Sequence, residues 1–125
     1  MDKKRILLVE DEEDLLYAVR IQLEAKGYDV LVAKDGQEAL SITRKEIPDL
    51  ILLDVMLPKI HGYKVCRLLK FDKKFQKIPI IIITARMQES DEKISFEVGA
   101  DAHITKPFDI NDLIGKMETL LDKNN

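Results

Sequence analysis

The sequence has a single cysteine, no tryptophan and no apolar run of membrane-spanning length. One cysteine excludes an intramolecular disulfide and is typical of a protein kept in a reducing compartment. Cys66 lies among apolar residues in YKVCRLL, so we expect a packed core thiol rather than a nucleophile. A membrane span needs about 20 consecutive apolar residues, and the apolar part of the N-terminus is too short for a signal peptide. These absences predict a cytoplasmic protein that does not associate with a membrane.

The chain also lacks an excess of positive charge. Twenty Lys and Arg residues face 23 Asp and Glu residues, for a net charge of -3, so we expect no direct binding of nucleic acid by this chain. Neither a G-x-G-x-x-G loop nor a Walker pattern is present, which argues against a flavin or nucleotide carrier. A length of 125 residues without linkers or repeats predicts one domain over residues 1–125.

Five short apolar runs predict buried strands. Several are nearly continuous rather than alternating, which is typical of a sheet covered on both faces. Helical patterns lie between and after them, so the βα order repeats five times and predicts a parallel sheet with right-handed crossovers. The expected fold class is therefore α/β, a doubly wound (βα)5 three-layer sandwich. The predicted strands cover residues 5–10, 29–33, 49–54, 78–84 and 102–106.

The predicted helices carry signals for their ends and buried faces. Asp35 and Glu38 stand at the N-cap and N3 positions of the second helix, as in a capping box. The fourth helix, in SDEKISFEVG, ends at Gly99, and Asp109 caps the fifth, whose apolar residues recur at helical spacing from residue 110 to 121. On the third helix we expect one side to carry Val65, Leu68 and Leu69.

Polar residues stand where four of the five predicted strands end. In an open parallel sheet, ligands bind outside the carboxyl ends of the strands. Each residue alone has a structural interpretation, since an aspartate can cap a helix and a threonine suits a strand. Their joint placement at one edge favours a functional site. These residues are Glu10, Asp11, Asp54, Thr84 and Lys106.

The residue types at this edge suggest phosphoryl transfer. Three clustered carboxylates repel one another and need a cation to be stable together. Ligands that are all oxygen indicate a hard divalent ion, Mg²⁺ or else Mn²⁺. A carboxylate can act as a nucleophile that forms an acyl phosphate, and Asp54 suits that role. The metal and Lys106 would then offset the charge of the phosphoryl oxygens.

Four segments resemble the signature regions of two-component response-regulator receiver domains. They are ILLVEDEED, PDLILLDVMLP, IIIITAR and GADAHITKPF, in that order, and the resemblance extends from residue 5 to about residue 122. It implies a flavodoxin-like fold with strand order 2-1-3-4-5. It also implies a phosphorylation-driven switch in bacterial phosphorelay signalling. The donor would be a sensor histidine kinase or a histidine phosphotransferase.

The resemblance implies a role for each residue of the metal site. Asp54 resembles the phosphoacceptor, which becomes an aspartyl phosphate. Glu10, Asp11 and Asp54 resemble the acidic triad around Mg²⁺, with Asp11 as a direct ligand and Glu10 acting mostly through water. The third protein ligand would be the backbone carbonyl of Met56.

The resemblance also implies the residues of the switch. Thr84 resembles the hydroxyl that swings to a phosphoryl oxygen, and Lys106 the lysine that pairs with the acceptor, followed by a cis peptide to Pro107. The second switch residue is usually Tyr or Phe but is His103 here, an imidazole that is smaller and titrates near neutrality when unperturbed. The alternative is a plain surface histidine. Gly62 fits the entry of the third helix.

The resemblance also implies that two further positions border the line of water attack. Met56 and Arg86 lie two residues beyond the acceptor and the switch threonine, so a bulky Met56 beside a long cation would slow hydrolysis. The alternative for Arg86 is a plain surface residue. His61 has two interpretations, a solvated loop histidine or a modulator of access to the phosphoryl group.

Alternative functions remain open at this level. A phosphatase of the haloacid dehalogenase type also uses a strand-end aspartate and Mg²⁺, but it requires a second aspartate where Met56 stands. We expect mainly a signalling switch that catalyses its own phosphorylation and dephosphorylation, not a turnover enzyme. A downstream protein would bind the face of helix 4, strand 5 and helix 5.

The output of the switch has two interpretations. The chain could be a stand-alone receiver or the receiver part of a DNA-binding response regulator, and it could act as a monomer or a phosphorylation-dependent homodimer. Receivers of winged-helix regulators dimerise through basic residues of helix 5, where this chain offers only Lys116 and Lys123. That shortage favours the stand-alone receiver.

Overall fold

The chain forms one five-stranded parallel sheet in a computed structural model that describes residues 3–85, 93, 94 and 97–123. The strand order is β2-β1-β3-β4-β5, and every neighbouring pair is parallel. The predicted fold class and strand order are confirmed. The strands are β1 (Arg5–Val9), β2 (Asp29–Ala33), β3 (Leu50–Asp54), β4 (Ile80–Thr84) and β5 (Ala102–Thr105).

Helices cover both faces of the sheet. Successive residues of the central strands alternate between two apolar cores: Ile51 and Leu53 pack on one side, Leu50 and Leu52 on the other. All residues of β3 and β4 are buried, which explains their continuous apolar sequence. None of the described helices has the length and apolar character that a membrane crossing requires. The helices are α1 (Glu13–Ala25), α2 (Gly36–Glu46), α3 (Gly62–Lys70) and the C-terminal helix (Ile110–Lys123).

Most predicted element ends lie within one residue of the observed ones. The exception is β4, which begins at Ile80, two residues later than predicted. Pro79 has no N–H to give to the ladder, and the N–H of Ile78 closes a turn onto Phe75 O at 3.0 Å. The predicted fourth helix lies largely outside the described residues. Within them, Gly99 has a φ of 84°, which suits a helix end.

Two helix caps are confirmed. The side chain of Asp35 accepts a hydrogen bond from the N–H of Glu38 at 2.8 Å. Asp109 Oδ1 accepts from the N–H of Asn111 at 2.7 Å. The cap of α3 is His61, whose Nδ1 accepts from the N–H of Tyr63 at 3.3 Å while the two rings stack. His61 therefore has a structural role that the sequence did not indicate.

The predicted buried side of α3 is wrong in one residue. Val65 and Leu69 are buried, but Leu68 is 43% exposed and Cys66 is fully buried in its place. At about 100° per residue, the centre of the buried face falls between Val65 and Cys66, and Leu68 lies more than a right angle away. Cys66 is the expected core thiol, and desolvation by burial raises its pKa to about 12.

Glycines let two helices pack directly on the loop that follows β3. A Cβ on Gly62 would lie 2.3 Å from Asp54 O and 2.5 Å from Val55 Cα. A Cβ on Gly36 would lie 2.3 Å from Ile60 O. Any side chain at either position would clash with backbone atoms, which cannot shift as easily as the end of a flexible side chain. The start of α3 and the carbonyl of Asp54 are therefore in close contact.

We expect Gly62→Ala to destabilise the protein and Gly115→Ala, in the C-terminal helix, to stabilise it. The first inserts a methyl group into backbone and should lower the free energy of unfolding by about 1–3 kcal/mol. The second meets no atom within 4 Å and should gain about 0.5–1 kcal/mol from helix propensity. Urea unfolding followed by circular dichroism measures both. Equal effects of the two substitutions would contradict the packing argument.

Candidate functional site

Three carboxylates meet at the carboxyl edge of the sheet. Glu10, Asp11 and Asp54 each place a carboxylate oxygen within 4.8 Å of the other two. Glu10 and Asp54 are buried, at 2% and 3% exposure, while Asp11 is exposed. The sequence predicted this convergence from the strand ends, and the structure brings the three together.

The strand register and two backbone donors position the buried carboxylates. Val9 pairs with Leu53 in the parallel ladder of β1 and β3, so the next residues, Glu10 and Asp54, follow side by side. The N–H of Glu12 donates to Glu10 Oε2 at 3.1 Å, and the N–H of Met56 donates to Asp54 Oδ1, also at 3.1 Å. Each carboxylate thus has one oxygen held by the loop after its own strand.

Asp11 does not serve as the cap of α1. The N-cap residue of that helix is Glu12, and it makes no side-chain capping bond. The structural interpretation of Asp11 as a helix cap is therefore wrong. The residue remains exposed beside Glu10 and Asp54, where a ligand can reach it.

Lys106 joins the two buried carboxylates. Its Nζ lies 3.1 Å from Asp54 Oδ2 and 3.0 Å from Glu10 Oε1. Its own N–H donates to Thr84 O at 2.7 Å, and its peptide bond to Pro107 is cis. The ammonium group therefore reaches the acidic cluster from the far side of β4, whose last residue, Thr84, is also buried.

The pKa of Lys106 is raised although the residue is largely buried. Desolvation, the largest single effect, would lower the pKa of the ammonium group, but hydrogen bonds and charge interactions with Glu10 and Asp54 together outweigh it. A lysine whose pKa is higher in the folded state stabilises the fold below its ordinary pKa. That contribution is lost as the pH rises through the folded pKa.

The pKa of Glu10 is also raised, with desolvation by burial as the largest cause. The N–H of Glu12 and the ammonium of Lys106 lower it, and the charge of Asp54 raises it again. The folded state therefore holds the proton of Glu10 more tightly than the unfolded state does. Stability from this group falls as the pH rises from the ordinary pKa of 4.5 towards the folded pKa. Burial of Glu10 thus favours its protonated form over its ionised form.

The acidic cluster suits a hard cation. Every side-chain donor in it is a carboxylate oxygen, the ligand type of Mg²⁺. Glu10 Oε1 is buried and lies 3.0 Å from the ammonium of Lys106, but it makes no well-directed hydrogen bond with any described residue. Two buried carboxylates and an exposed third leave more negative charge than one lysine neutralises. The donor set and the incompletely satisfied oxygen therefore both fit a divalent metal.

The remaining predicted residues lie around this cluster or outside the described part. Met56, in the loop that follows β3, is 67% exposed, and its N–H donates to Asp54. His103 is half-buried on β5, paired with Ile82 of β4. Gly62 contacts the backbone of Asp54, as described above. Arg86 lies outside the described residues.

A cavity beside Lys106 was not expected from the sequence. It has a volume of about 430 Å³, and its lining joins the start of α1 to the segment after β5. Leu15, which packs against the core from α1, is only half-buried and lines this cavity. The signal that could have indicated the cavity is the apolar pair Pro107 and Phe108 directly after the lysine. The lining residues are Glu12, Leu15, Ala85, Lys106, Pro107 and Phe108.

Comparisons with known proteins agree with this geometry. A family model described as "Response regulator receiver domain" matches residues 6–118. The alkaline phosphatase synthesis transcriptional regulatory protein PhoP of Bacillus subtilis is 42% identical over 121 residues, which make up 97% of this chain and 50% of that protein. The chain spans about half the length of the curated relatives it matches.

Solved structures show the same fold. A response regulator receiver domain protein from Methanospirillum hungatei superimposes with a TM-score of 0.91 at 31% identity, covering 98% of this chain and 96% of that one. The receiver domain of a sensor histidine kinase from Pseudomonas aeruginosa gives 0.89 at 27% identity, covering 97% and 99%. That second structure has a magnesium ion coordinated in its active site cleft.

We expect Lys106→Met to destabilise the protein far more than Lys34→Met. Removing Lys106 leaves two buried carboxylates uncompensated, which should cost about 3 kcal/mol. Lys34 makes an ion pair of similar length, 2.8 Å to Glu13, but both side chains are mostly exposed, so its loss should have little effect. Urea unfolding at pH 7 compares the two.

The pH dependence gives a second test of the same interaction. The difference between the parent and Lys106→Met should be full at neutral pH and shrink as the pH rises above the ordinary lysine pKa of 10.5. A difference that does not change at alkaline pH would mean that Lys106 acts through packing rather than charge.

Proposed function

The chain belongs to the family of response regulator receiver domains, and we propose that it accepts a phosphoryl group on Asp54 and acts through the resulting aspartyl phosphate. Receiver domains take this group from histidine kinases, so the donor here would be a sensor histidine kinase or a histidine phosphotransferase. The observation that carries the proposal is the ammonium of Lys106 held between Asp54 and Glu10. Residues 1–125 would form a single receiver domain.

We propose that Mg²⁺ is held by Glu10, Asp11 and Asp54, with Mn²⁺ as the other ion that suits these ligands. Asp11 would ligate directly because it is the exposed member, and Glu10 would act mostly through water. The backbone carbonyl of Met56 would complete the protein ligands. When bound, the ion supplies positive charge that offsets the negative charge of the phosphoryl oxygens.

The transfer step follows from the placement of Asp54. One of its carboxylate oxygens forms a bond to phosphorus as the bond from phosphorus to the donor imidazole nitrogen breaks, and the imidazole leaves with that electron pair and takes up a proton. The nucleophile is a carboxylate oxygen of Asp54, and the ammonium of Lys106 lies 3.1 Å from Asp54 Oδ2. After transfer, Lys106 would pair with a phosphoryl oxygen, and the hydroxyl of Thr84 would hydrogen-bond another.

The switch would involve the strands next to Asp54. Thr84 ends β4, and His103 is on β5, the edge strand that neighbours β4. Movement of Thr84 towards the phosphoryl group would free space for His103 to turn inward and would shift the population of the face of helix 4, β5 and the C-terminal helix. A downstream protein or a second copy of the chain would bind that face. The chain would thus act as a switch that catalyses its own phosphorylation and dephosphorylation.

The relatives favour a second reading of the output. Two of the relatives, of which the chain covers about half the length, are transcriptional regulators. A regulator built like them would combine this receiver with a DNA-binding domain. The gene sequence around the segment that encodes the chain distinguishes this reading from a stand-alone receiver.

Asp54→Asn should abolish phosphorylation. Incubation of the parent with acetyl phosphate and Mg²⁺ should add one phosphoryl group per chain, measured by intact mass, because Asp54 supplies the nucleophile. Asp72→Asn is the matched control, since Asp72 is a half-buried aspartate in the turn after α3 and its loss should leave the adduct intact. Chelation of the metal should also prevent the adduct. A stoichiometric adduct on Asp54→Asn would overturn the assignment.

Met56→Asn should shorten the lifetime of the phosphorylated state several-fold. The Met56 side chain is exposed beside Asp54, where it can shield the acyl phosphate from water, and an amide would instead orient an attacking water molecule. Ile47→Asn, at a position 58% exposed on the C-terminal side of α2, controls for the loss of an exposed apolar side chain. Unchanged decay in Met56→Asn would remove this residue from the proposal. The role of Arg86, which lies outside the described residues, stays a prediction.

A further inference from the structure

A groove on α3 has no part in the proposed phosphoryl transfer. Its volume is about 990 Å³, and it runs along α3 and the turn that follows it, within residues 63–74, with Val98 at its floor. Phe71 lies nine residues beyond Gly62, so about 13 Å of helix axis separates it from the end that contacts Asp54. We call this surface the α3 groove.

The α3 groove exposes large apolar side chains. Phe71 is 70% exposed and Leu68 is 43% exposed, and the two are three residues apart on the same side of the helix. Isolated exposed apolar residues need no explanation, but adjacent ones that line a groove indicate a binding surface. An aromatic ring next to a leucine is also the kind of anchor on which binding energy concentrates.

Positive charge surrounds these apolar side chains. Residues 59–77 contain seven Lys and Arg residues and one acid, Asp72, in a chain whose net charge is -3. Asp72 is engaged locally, since its Oδ1 accepts from the N–H of Lys74 at 2.9 Å. The cations that line the groove make no ion pair with any described residue. They are Lys64, Arg67, Lys73 and Lys74.

The pairing of other lysines shows that this lack of partners is local. Lys70, on the same helix, lies 2.6 Å from Asp101 and donates to the carbonyls of Gln76 and Ile78. Lys59, just before α3, lies 3.3 Å from Asp35. Among the residues that the structure describes, the cations of the groove therefore have no acidic partner, while the neighbouring Lys59 and Lys70 each have one.

We propose that the α3 groove binds an acidic amphipathic helix of a partner protein. Cations at residues 64, 67, 73 and 74 flank an apolar centre at residues 68 and 71. A helix with apolar residues at i, i+3 and i+4 and glutamates on either side complements this pattern in charge and in shape. The helical part of the groove, from Lys64 to Lys70, rises about 9 Å along the axis, which two turns of a partner helix cover.

The details of the groove favour a peptide over a nucleic acid. The guanidinium of Arg67 lies over the ring of Phe71, 5.8 Å from its centroid, so one face of that ring is not open for stacking a base. The net negative charge of the chain opposes a long polyanion, whereas a short acidic helix meets only the local positive surface.

The test uses the whole chain and a designed probe. The probe is a fluorescein-labelled synthetic peptide of about four helical turns with a leucine stripe flanked by glutamates, compared with a peptide of the same composition in scrambled order. Fluorescence anisotropy should show binding of the amphipathic peptide and at least about tenfold weaker binding of the scrambled one. Equal binding of the two would mean non-specific charge attraction and would overturn the proposal.

Matched variants locate the site. Lys73→Glu combined with Lys74→Glu, and separately Phe71→Ser, should each weaken binding about tenfold or more. Lys26→Glu combined with Lys45→Glu changes the net charge equally at exposed positions outside the groove and should leave binding within about twofold. Because Phe71 is mostly exposed, its substitution should not unfold the chain, which circular dichroism checks.

Other occupants of the groove would overturn the proposal. Tighter binding of a single-stranded oligonucleotide than of the peptide would indicate a nucleic-acid site. Concentration-dependent self-association by light scattering, lost in Phe71→Ser, would indicate a second copy of the chain. Repeating the peptide titration with Asp54→Asn should give the same peptide affinity. The two proposals can therefore fail separately: loss of phosphoryl transfer would not change peptide binding, and loss of peptide binding would not change phosphoryl transfer.

Discussion

The shared ammonium of Lys106 is the interaction on which the acidic edge depends. Glu10 and Asp54 are both buried, and two adjacent carboxylates at such positions repel each other and lose hydration. Lys106 contacts one oxygen of each at about the same distance. It starts from the end of β5, two strands away from β3, a separation of about 10 Å. Only a long cationic side chain that extends across the end of β4 can reach both carboxylates from there.

This arrangement explains why the site is built from strand ends rather than from a loop alone. The ladder of β1 and β3 sets Glu10 beside Asp54, and the backbone N–H groups of Glu12 and Met56 fix one oxygen of each. The raised pKa of Glu10 shows that its ionised form opposes folding. The buried apolar strands around it supply the stability that offsets this cost, so the most apolar part of the sheet lies under its most charged edge.

The fold was predictable because the order of apolar runs and helical patterns along the chain is enough to indicate alternating strands and helices. Continuous apolar runs, as in Leu50 to Leu53, indicated strands buried on both faces, and the acids directly after them indicated the edge where ligands bind. Periodicity was ambiguous on α3, because apolar residues occur on more than one of its faces. Leu68 was therefore predicted to be buried, but it is exposed. The capping role of His61 was also missed, because histidine is not a favoured N-cap and only the stacking with Tyr63 places its Nδ1.

Gly62 and Leu68 lie on the same helix, α3, and connect it to two different surfaces of the protein. At its N-terminus, Gly62 leaves no gap between α3 and the carbonyl of Asp54, so that carbonyl cannot move towards the helix unless α3 moves too. Nearer its C-terminus, Leu68 is exposed beside Phe71, in a groove whose cations make no ion pair within the part of the chain that the structure describes. Between these ends, Val65 and Leu69 are buried in the core and anchor the nine-residue helix to the sheet. One helix, α3, therefore contacts the acidic edge of the sheet at its N-terminal end and lines the basic groove near its C-terminal end.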